Sequence, residues 1–285
     1  MANVLTHTLP ATLQQSRKAR RVSQLELSLR VGVSQRHVSF VESGRAKPSR
    51  ELLVAWLQAL EVPLAQRNAA MLQAGYAPIY SQLSLQDAPL SPLSPLLPAH
   101  DALMHLLRNH DPLPAFVMDA YWNLLHVNAG GRWLALTLMP WLESALNGAA
   151  LESGVPLNML DALCHPEGFT HHLVNLQEVG PNFLAHIRDD ASVLPSLAPK
   201  AEAFAALLRD KLGSQTLHTG QPRQAAPVLT SRFATAHGEL SFFSMFTTFG
   251  TPQDITLASL RVEHLFAADA HTKAVLQLQV KHQDN

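Results

Sequence analysis

Residues 23–45 constrain the fold more tightly than any other part of this 285-residue chain, because helix-start and helix-stop signals recur there at short intervals. Ser23 and Glu26 form an S-x-x-E capping box, which predicts a helix from Gln24 with two orphan backbone donors satisfied. Leu25, Leu27, Leu29 and Val31 are too apolar for a solvated face, so this helix is expected to pack against its neighbours. Gly32 falls where the chain must turn sharply, a position suited to positive φ. Ser34 is then a good N-cap for a second helix. There Val38 and Val41, three residues apart, can face a core. Gln35, Arg36, His37 and Ser39 are left on the opposite side near the N-terminal end, and Gly44 stops the helix after Glu42 and Ser43.

Two short helices joined by a tight turn, the second with a polar N-terminal face, make a helix-turn-helix. A helix in the DNA major groove reads bases with its N-terminal residues, and Arg to guanine or Gln to adenine are favourable bidentate pairs. Gln35, Arg36, His37 and Ser39 are therefore the candidate base contacts. Arg45, Lys47 and Ser49 follow in a loop and are candidate phosphate contacts, as is the basic cluster Arg17, Lys18, Arg20 and Arg21. Gln24, at a helix N-terminus, joins them through its amide and the helix dipole. Charge distribution agrees. Residues 1–80 hold ten Lys and Arg against four Asp and Glu, whereas the rest holds eleven against eighteen. A basic head on an acidic body is the electrostatic footprint of one face meeting nucleic acid.

Gln24-Leu25-Glu26-Leu27, Val33 through Arg45, and Pro48-Ser49 resemble the XRE-type (lambda-repressor-like) helix-turn-helix, over about residues 12–76. The resemblance implies an all-α head of five helices with Gln35, Arg36, His37 and Ser39 in the recognition positions. Ser28 stands where that family usually carries Ala.

The chain is long enough for two domains, each with its own core. It contains no run of eighteen apolar residues and no charged-then-apolar leader, and its one cysteine, Cys164, cannot form an internal disulfide. A cytoplasmic location is expected on these grounds. Domain boundaries are drawn at 1–76 for the head, 77–98 for a Pro-rich linker and 99–285 for the body. Pro78, Pro89, Pro92, Pro95 and Pro98 punctuate the linker, and Leu90, Leu93, Leu96 and Leu97 argue that it packs on something.

Helical periodicity predicts helices at Glu51–Ala59, Leu64–Ala74, Ala99–Asn109, Met159–Cys164, Phe169–Arg188 and Pro199–Leu212. Ala115–Asp119 and Asn123–Val127 read as a hairpin around Ala120-Tyr121-Trp122, followed by a helix capped by Asn128 and carrying Trp133, Leu134, Leu136 and Trp141. Strand-like runs follow at Ala225–Leu229, Glu239–Phe249 and Thr256–Phe266. Within the second of these, Phe242 and Phe246 share one face while Phe243, Met245 and Phe249 share the other, so the strand is covered on both sides or lines a cavity on one. Terminal strands around central helices give an α+β body.

The body's segments Pro114–Asp119, Trp122–Ala129, His165–Gly168, Phe249–Leu257 and Leu260–Asp269 resemble the MmyB-like ligand-binding domain, over about residues 90–275. Ala267 replaces the Pro that family carries before its final Ala-Asp. The resemblance implies a PAS-like antiparallel sheet with helices over one face and an apolar pocket between them, for small, often lipid-like molecules. Candidate pocket residues are Trp122, His126, Trp133, Phe183, Phe242, Phe246 and Phe249. His126, Asn128, Arg132 or Arg261 would read effector polarity at the mouth, although Asn128 is better explained as a helix cap.

Cys164-His165 with His171-His172 has the residue types of a zinc site but not the spacing, and adjacent histidines diverge on a helix. No metal or cofactor is expected. A P-loop, a G-x-S-x-G elbow and an H-E-x-x-H run are all missing, and the paired glycines of Asn128–Arg132 lack dinucleotide-loop spacing. The chain therefore reads as a non-enzymatic, sequence-specific transcription regulator with double-stranded DNA, a small apolar or lipid-like effector and a second copy of itself as partners. The rival reading is a constitutive dimeric repressor whose body only dimerises.

Overall fold

The computed structural model describes residues 8–85, 87–91, 93–146, 157–213 and 228–280. They divide into two compact units, the first made of residues 1–83 with 251–258 and the second of residues 84–250 with 259–285.

Five helices build the first unit: α1 (Leu9–Ala19), α2 (Gln24–Val31), α3 (Gln35–Glu42), α4 (Arg50–Ala59) and α5 (Leu64–Gln73). Leu13, Leu27, Val38, Leu53, Trp56 and Met71 are wholly buried at its centre. The expected caps form. The Ser23 hydroxyl accepts from the Glu26 amide at 3.0 Å and that of Ser34 from the His37 amide at 3.2 Å. The Glu26 carboxylate, however, turns to Arg30 at 2.5 Å instead of reaching back to close the box. Gly32 and Gly44 adopt left-handed backbone with φ of +71° and +74°.

One expectation for α2 fails. Leu25 and Leu29 are 54% and 76% exposed, and the buried residues are Leu27 and Ser28. Four apolar residues at spacing two cannot share a helical face; Leu25 and Leu29, four apart, form a separate outward stripe. Ser28 fits the buried position by donating its hydroxyl to the Leu25 carbonyl at 2.7 Å.

Beyond α5 the Asn68 amide holds the chain, accepting from the Ile79 and Tyr80 amides at 2.9 and 3.1 Å and donating to the Tyr80 carbonyl at 2.7 Å. Residues 251–258 return to the same unit through Asp254. Its buried carboxylate accepts from the Ser81 hydroxyl at 2.7 Å and the Leu83 amide at 3.2 Å.

In the second unit, chain order runs α6 (Leu97–His110), β1 (Ala115–Met118), β2 (Leu124–Val127), α7 (Ala129–Leu138), α8 (Glu143–Leu146), α9 (Met159–Cys164), α10 (Phe169–His172), α11 (Leu176–Val193) and α12 (Ala198–Leu212). Then come β3 (Thr230–Thr235) and β4 (Gly238–Thr247); the chain next passes through α13 (Ile255–Ser259), which falls in the first unit up to residue 258, before β5 (Arg261–Ala267) and α14 (Ala270–Gln279). The strands form one antiparallel sheet in the order β2-β1-β5-β4-β3, the α+β arrangement expected of the body. Before α6 a short 3-10 turn covers Ala88–Leu90. Leu85, Ala88 and Leu96 are buried there, but Leu93 is 91% exposed, so the packing expected of the linker leucines is incomplete.

Three further boundaries differ from expectation. The run Thr256–Phe266 divides into α13 and β5, because the second Asp254 oxygen caps a helix by accepting from Thr256 and Leu257 at 2.8 and 3.3 Å. The strand expected at Ala225–Leu229 lies at Thr230–Thr235; residues 225–227 are outside the described residues. Its position is set from the far end, where Thr235 pairs with Gly238 across a turn with φ of +93° at the glycine. The helix expected at Phe169–Arg188 breaks at Leu173–Asn175. There the Asn175 side chain donates to the Thr230 carbonyl at 2.8 Å and accepts from the Arg232 amide at 3.0 Å, bonding the break to β3.

Asn128 caps α7, accepting from the Ala115 and Gly131 amides, both at 2.8 Å. The neighbouring paired glycines serve close approach: a Cβ at Gly131 would stand 2.8 Å from the Ala115 carbonyl oxygen. Trp141 falls beyond α7, in the 3-10 turn Pro140–Leu142.

Candidate DNA-reading helix and body cavity

In the head, Gln35 and Arg36 are exposed at the N-terminal end of α3, and His37 and Ser39 are half-buried beside them. Val38 and Val41 anchor the opposite side of this helix in the core. The Arg36 guanidinium lies 5.2 Å from the centre of the Phe40 ring and that of Arg45 5.9 Å from it, so one ring supports two cations on the same surface. Lys47 is exposed, with its ammonium 5.1 Å from the Tyr76 ring.

Not every expected phosphate contact is available. Arg17 is buried and bound through two nitrogens to Glu42, at 2.7 and 2.8 Å, and a third donates to the Val22 carbonyl at 2.8 Å. Gln24 donates to the same Glu42 carboxylate at 2.8 Å. Both residues thus tie α1 and α2 to the end of α3 rather than presenting free donors. Burial by itself would raise Glu42, but hydrogen bonds from Arg17 and Gln24, with the charges of Arg17 and Lys18, hold it below the ordinary carboxylate range. Ser49 uses its hydroxyl to cap α4 at the Leu52 amide, 3.2 Å away. Arg20 donates to the Glu61 carbonyl and Lys18 to Gln14, while Lys18, Arg20, Arg21, Arg45 and Lys47 all remain exposed.

The second unit encloses a cavity of about 470 Å³ between the sheet and the helices α9 to α12. Its size is in the ordinary range for a small-molecule site. Trp122, Phe183 and Phe242 lie in its wall, joined by Phe116, Met118, Phe169, Phe204 and Phe233. The other expected pocket residues lie elsewhere. Trp133 is buried on α7 with its ring 5.5 Å from that of His237. His126 pairs with Val117 and so points to the opposite sheet face from Phe116 and Met118; burial lowers its pKa there. Phe246 is exposed, its ring 5.6 Å from that of His186, and Phe249 lies beyond the end of β4.

Trp122 sits at the tip of the β1–β2 hairpin with φ of +66°, in left-handed backbone. Asp119 holds the tip, its carboxylate accepting from the Tyr121 and Asn123 amides at 2.8 and 2.9 Å. The indole nitrogen donates to Asp190 on α11 at 2.8 Å, and the Arg261 guanidinium donates to the same oxygen at 2.8 Å while lying 5.0 Å from the indole centre. Arg261 is therefore committed to Asp190. Asn128 is committed to its cap, donating also to the Leu113 carbonyl at 2.8 Å, and Arg132 donates to the Leu146 carbonyl at 2.8 Å.

The polar side chains that do line the cavity are Thr170, Ser231, Ser244 and Glu263. Glu263 pairs with Phe116 on β1 and Phe246 on β4, on the apolar inner face of β5. Its sequence signal was the alternation Arg261, Glu263, Leu265, which puts one carboxyl on a face otherwise opposite aromatic rings. Burial pushes it up to about 7, opposed by the nearby Ser244 hydroxyl and the charge of Arg261. Cys164, His165, His171 and His172 do not converge: His165 accepts from the Glu167 amide and its ring packs 4.1 Å from that of Trp141. No described helix is long and apolar enough to cross a membrane.

Comparison with known families gives two matches. Residues 13–66 match the helix-turn-helix family, and residues 99–278 match the family described as MmyB-like transcription regulator ligand binding domain. No curated protein matches the chain. A solved structure titled "Structure of an RNA-binding Light-Oxygen-Voltage Receptor" aligns at 13% identity with a TM-score of 0.24, covering 97% of this chain. The chain spans 63% of that protein's length.

Proposed function

Because the chain belongs to the family of MmyB-like transcription regulator ligand-binding domains and carries a helix-turn-helix head, it is a DNA-binding transcription regulator, and we propose that a small apolar effector in its body cavity controls operator binding. The observation that carries this reading is the aromatic-walled cavity of about 470 Å³ in the second unit. An effector acts only if it binds the DNA-competent and DNA-incompetent arrangements with different affinity.

At the head, Gln35, Arg36, His37 and Ser39 read base edges, while Lys18, Arg20, Arg21, Arg45 and Lys47 hold phosphates. The protein works as a homodimer, whose two heads meet half-sites about one helical turn, ~34–36 Å, apart. A single head offers few base contacts, and this supports pairing. Sedimentation that shows only monomer, with and without operator, removes the dimer from this account.

The test begins with the gently purified full chain and a comparison of native with denaturing mass spectra. An additional mass lost on denaturation identifies a candidate effector. Operator selected from random duplexes is then titrated with and without that compound. Changed affinity supports regulation through the cavity; unchanged affinity with the compound bound leaves a body that only dimerises.

A further inference from the structure

Among the described residues, the wall of the apolar cavity carries one ionisable group, and the group is acidic. Among the described residues lining it, Glu263 stands with Thr170, Ser231 and Ser244, and none is Lys, Arg or His. The register fixes where the carboxyl lies. Glu263 is central on β5, opposite Phe116 on one side and flanked on β4 by Ser244, which pairs with Leu265. Ser244 and Glu263 both line the cavity. The residue is only half-buried although it sits inside the sheet's helix-covered face, because its remaining surface borders the cavity.

The nearest cation on the same strand face does not serve the cavity. The Arg261 guanidinium donates to Asp190 at 2.8 Å and lies 3.3 Å from the His186 ring nitrogen, both on α11. Arg261, Asp190 and His186 are the charged or titratable groups grouped around this end of β5, and the first two compensate each other. Among the described residues lining the cavity, a ligand carboxylate would meet a carboxyl and three hydroxyls, without a cation. A ligand ammonium would meet an acceptor of opposite charge in an apolar enclosure, where charge-assisted hydrogen bonds are strong.

We propose that the effector is an apolar chain or ring system ending in a primary amine, with the ammonium held by the Glu263 carboxylate and the Ser244 hydroxyl, and that the cavity discriminates against carboxylate-ended molecules. This rests on the reading of the cavity as an effector site. The raised titration of Glu263 fits it: an ammonium beside the carboxyl restores the ionised form that burial disfavours.

The experiment uses the full chain and three probes with one tail: decylamine, 1-decanol and decanoic acid, titrated by calorimetry at pH ~8, where Glu263 is ionised and the amine protonated. The amine is expected to bind about tenfold or more tightly than the acid, as a hydrogen bond to a charged group yields. Glu263→Gln should erase the advantage of amine over alcohol while leaving alcohol binding within about twofold, which also shows that the variant's cavity is intact. Acid binding as tight as amine, or an amine preference that survives E263Q, overturns the headgroup assignment while the effector cavity stands. Failure of all three tails to bind overturns the cavity reading, and this inference with it.

Discussion

Glu42 in the head is buried and Glu263 in the body is half-buried beside a cavity, and the two carboxyls are displaced in opposite directions. Glu42 in the head has Arg17 against both oxygens and Gln24 beside one, and it is held below its ordinary range. Glu263 in the body has Ser244 and a cation committed elsewhere, and burial raises it to about 7. Burial alone therefore does not set the charge of a carboxyl; the placement of a partner does. The head supplies that partner from its own chain and is a closed structural unit. Among the described residues the body lines its cavity with no cation for Glu263 and leaves this acid facing the enclosure.

The largest effect should come from breaking the head's pair. Glu42→Ala leaves Arg17 buried without a counter-charge and should cost about 3–5 kcal/mol. Hydrogen exchange resolved along the sequence should show α1–α3 opening while β3–β5 stay protected. Equal loss of protection in both units would mean that the pair is not local to the head.

Next in size is a pH contrast. Because the folded value of Glu42 is lowered, its contribution is present above its ordinary pKa and fades as pH falls through the lowered one. Glu263 runs the other way: its contribution is full below 4.5 and is lost as pH rises through about 7. At most about 3 kcal/mol is involved, from the width of that window. Denaturation of ligand-free protein should show the body weakening between pH ~5 and ~8, and E263Q should flatten the slope. A body whose stability rises over that window would contradict the placement of Glu263.

Two smaller effects sharpen the DNA side. Arg36→Ala should relax base preference at one operator position, at a cost of about 1–3 kcal/mol, whereas uniform weakening would make Arg36 a phosphate contact. Lys47→Ala should weaken all sequences alike and reduce the salt slope by about one phosphate. An unchanged slope would remove Lys47 from the backbone set.

The head was the more legible half because its determinants are local. Ser23, Ser34, Gly32 and Gly44 act on residues within four positions, and the structure places them as the capping rules require. The Arg17–Glu42 pair spans twenty-five residues, and nothing in the local pattern distinguishes a structural arginine from the exposed basic cluster around it. In the body, the hairpin, the Asn128 cap and the terminal strands were readable in outline. The break at Asn175 was not, since it follows from hydrogen bonds to β3 more than fifty residues away. Trp122, Phe183 and Phe242 line the cavity whereas Trp133 and Phe246 do not, although all five are aromatic; pleat, register and helix packing separate them. Glu263 was passed over because a single acid on a strand reads as surface until the facing layer is known.

Trp122 holds a backbone conformation that disfavours any side chain, with φ of +66°, and its indole is both cavity wall and partner to Asp190. Strain of this kind persists where the surroundings over-determine it. A stability-guided redesign would therefore choose glycine or asparagine at 122, relaxing the hairpin tip while deleting one side of the enclosure. Variants selected for heat resistance alone would drift toward a protein that folds more firmly and recognises less, and position 122 is where that divergence would first be visible.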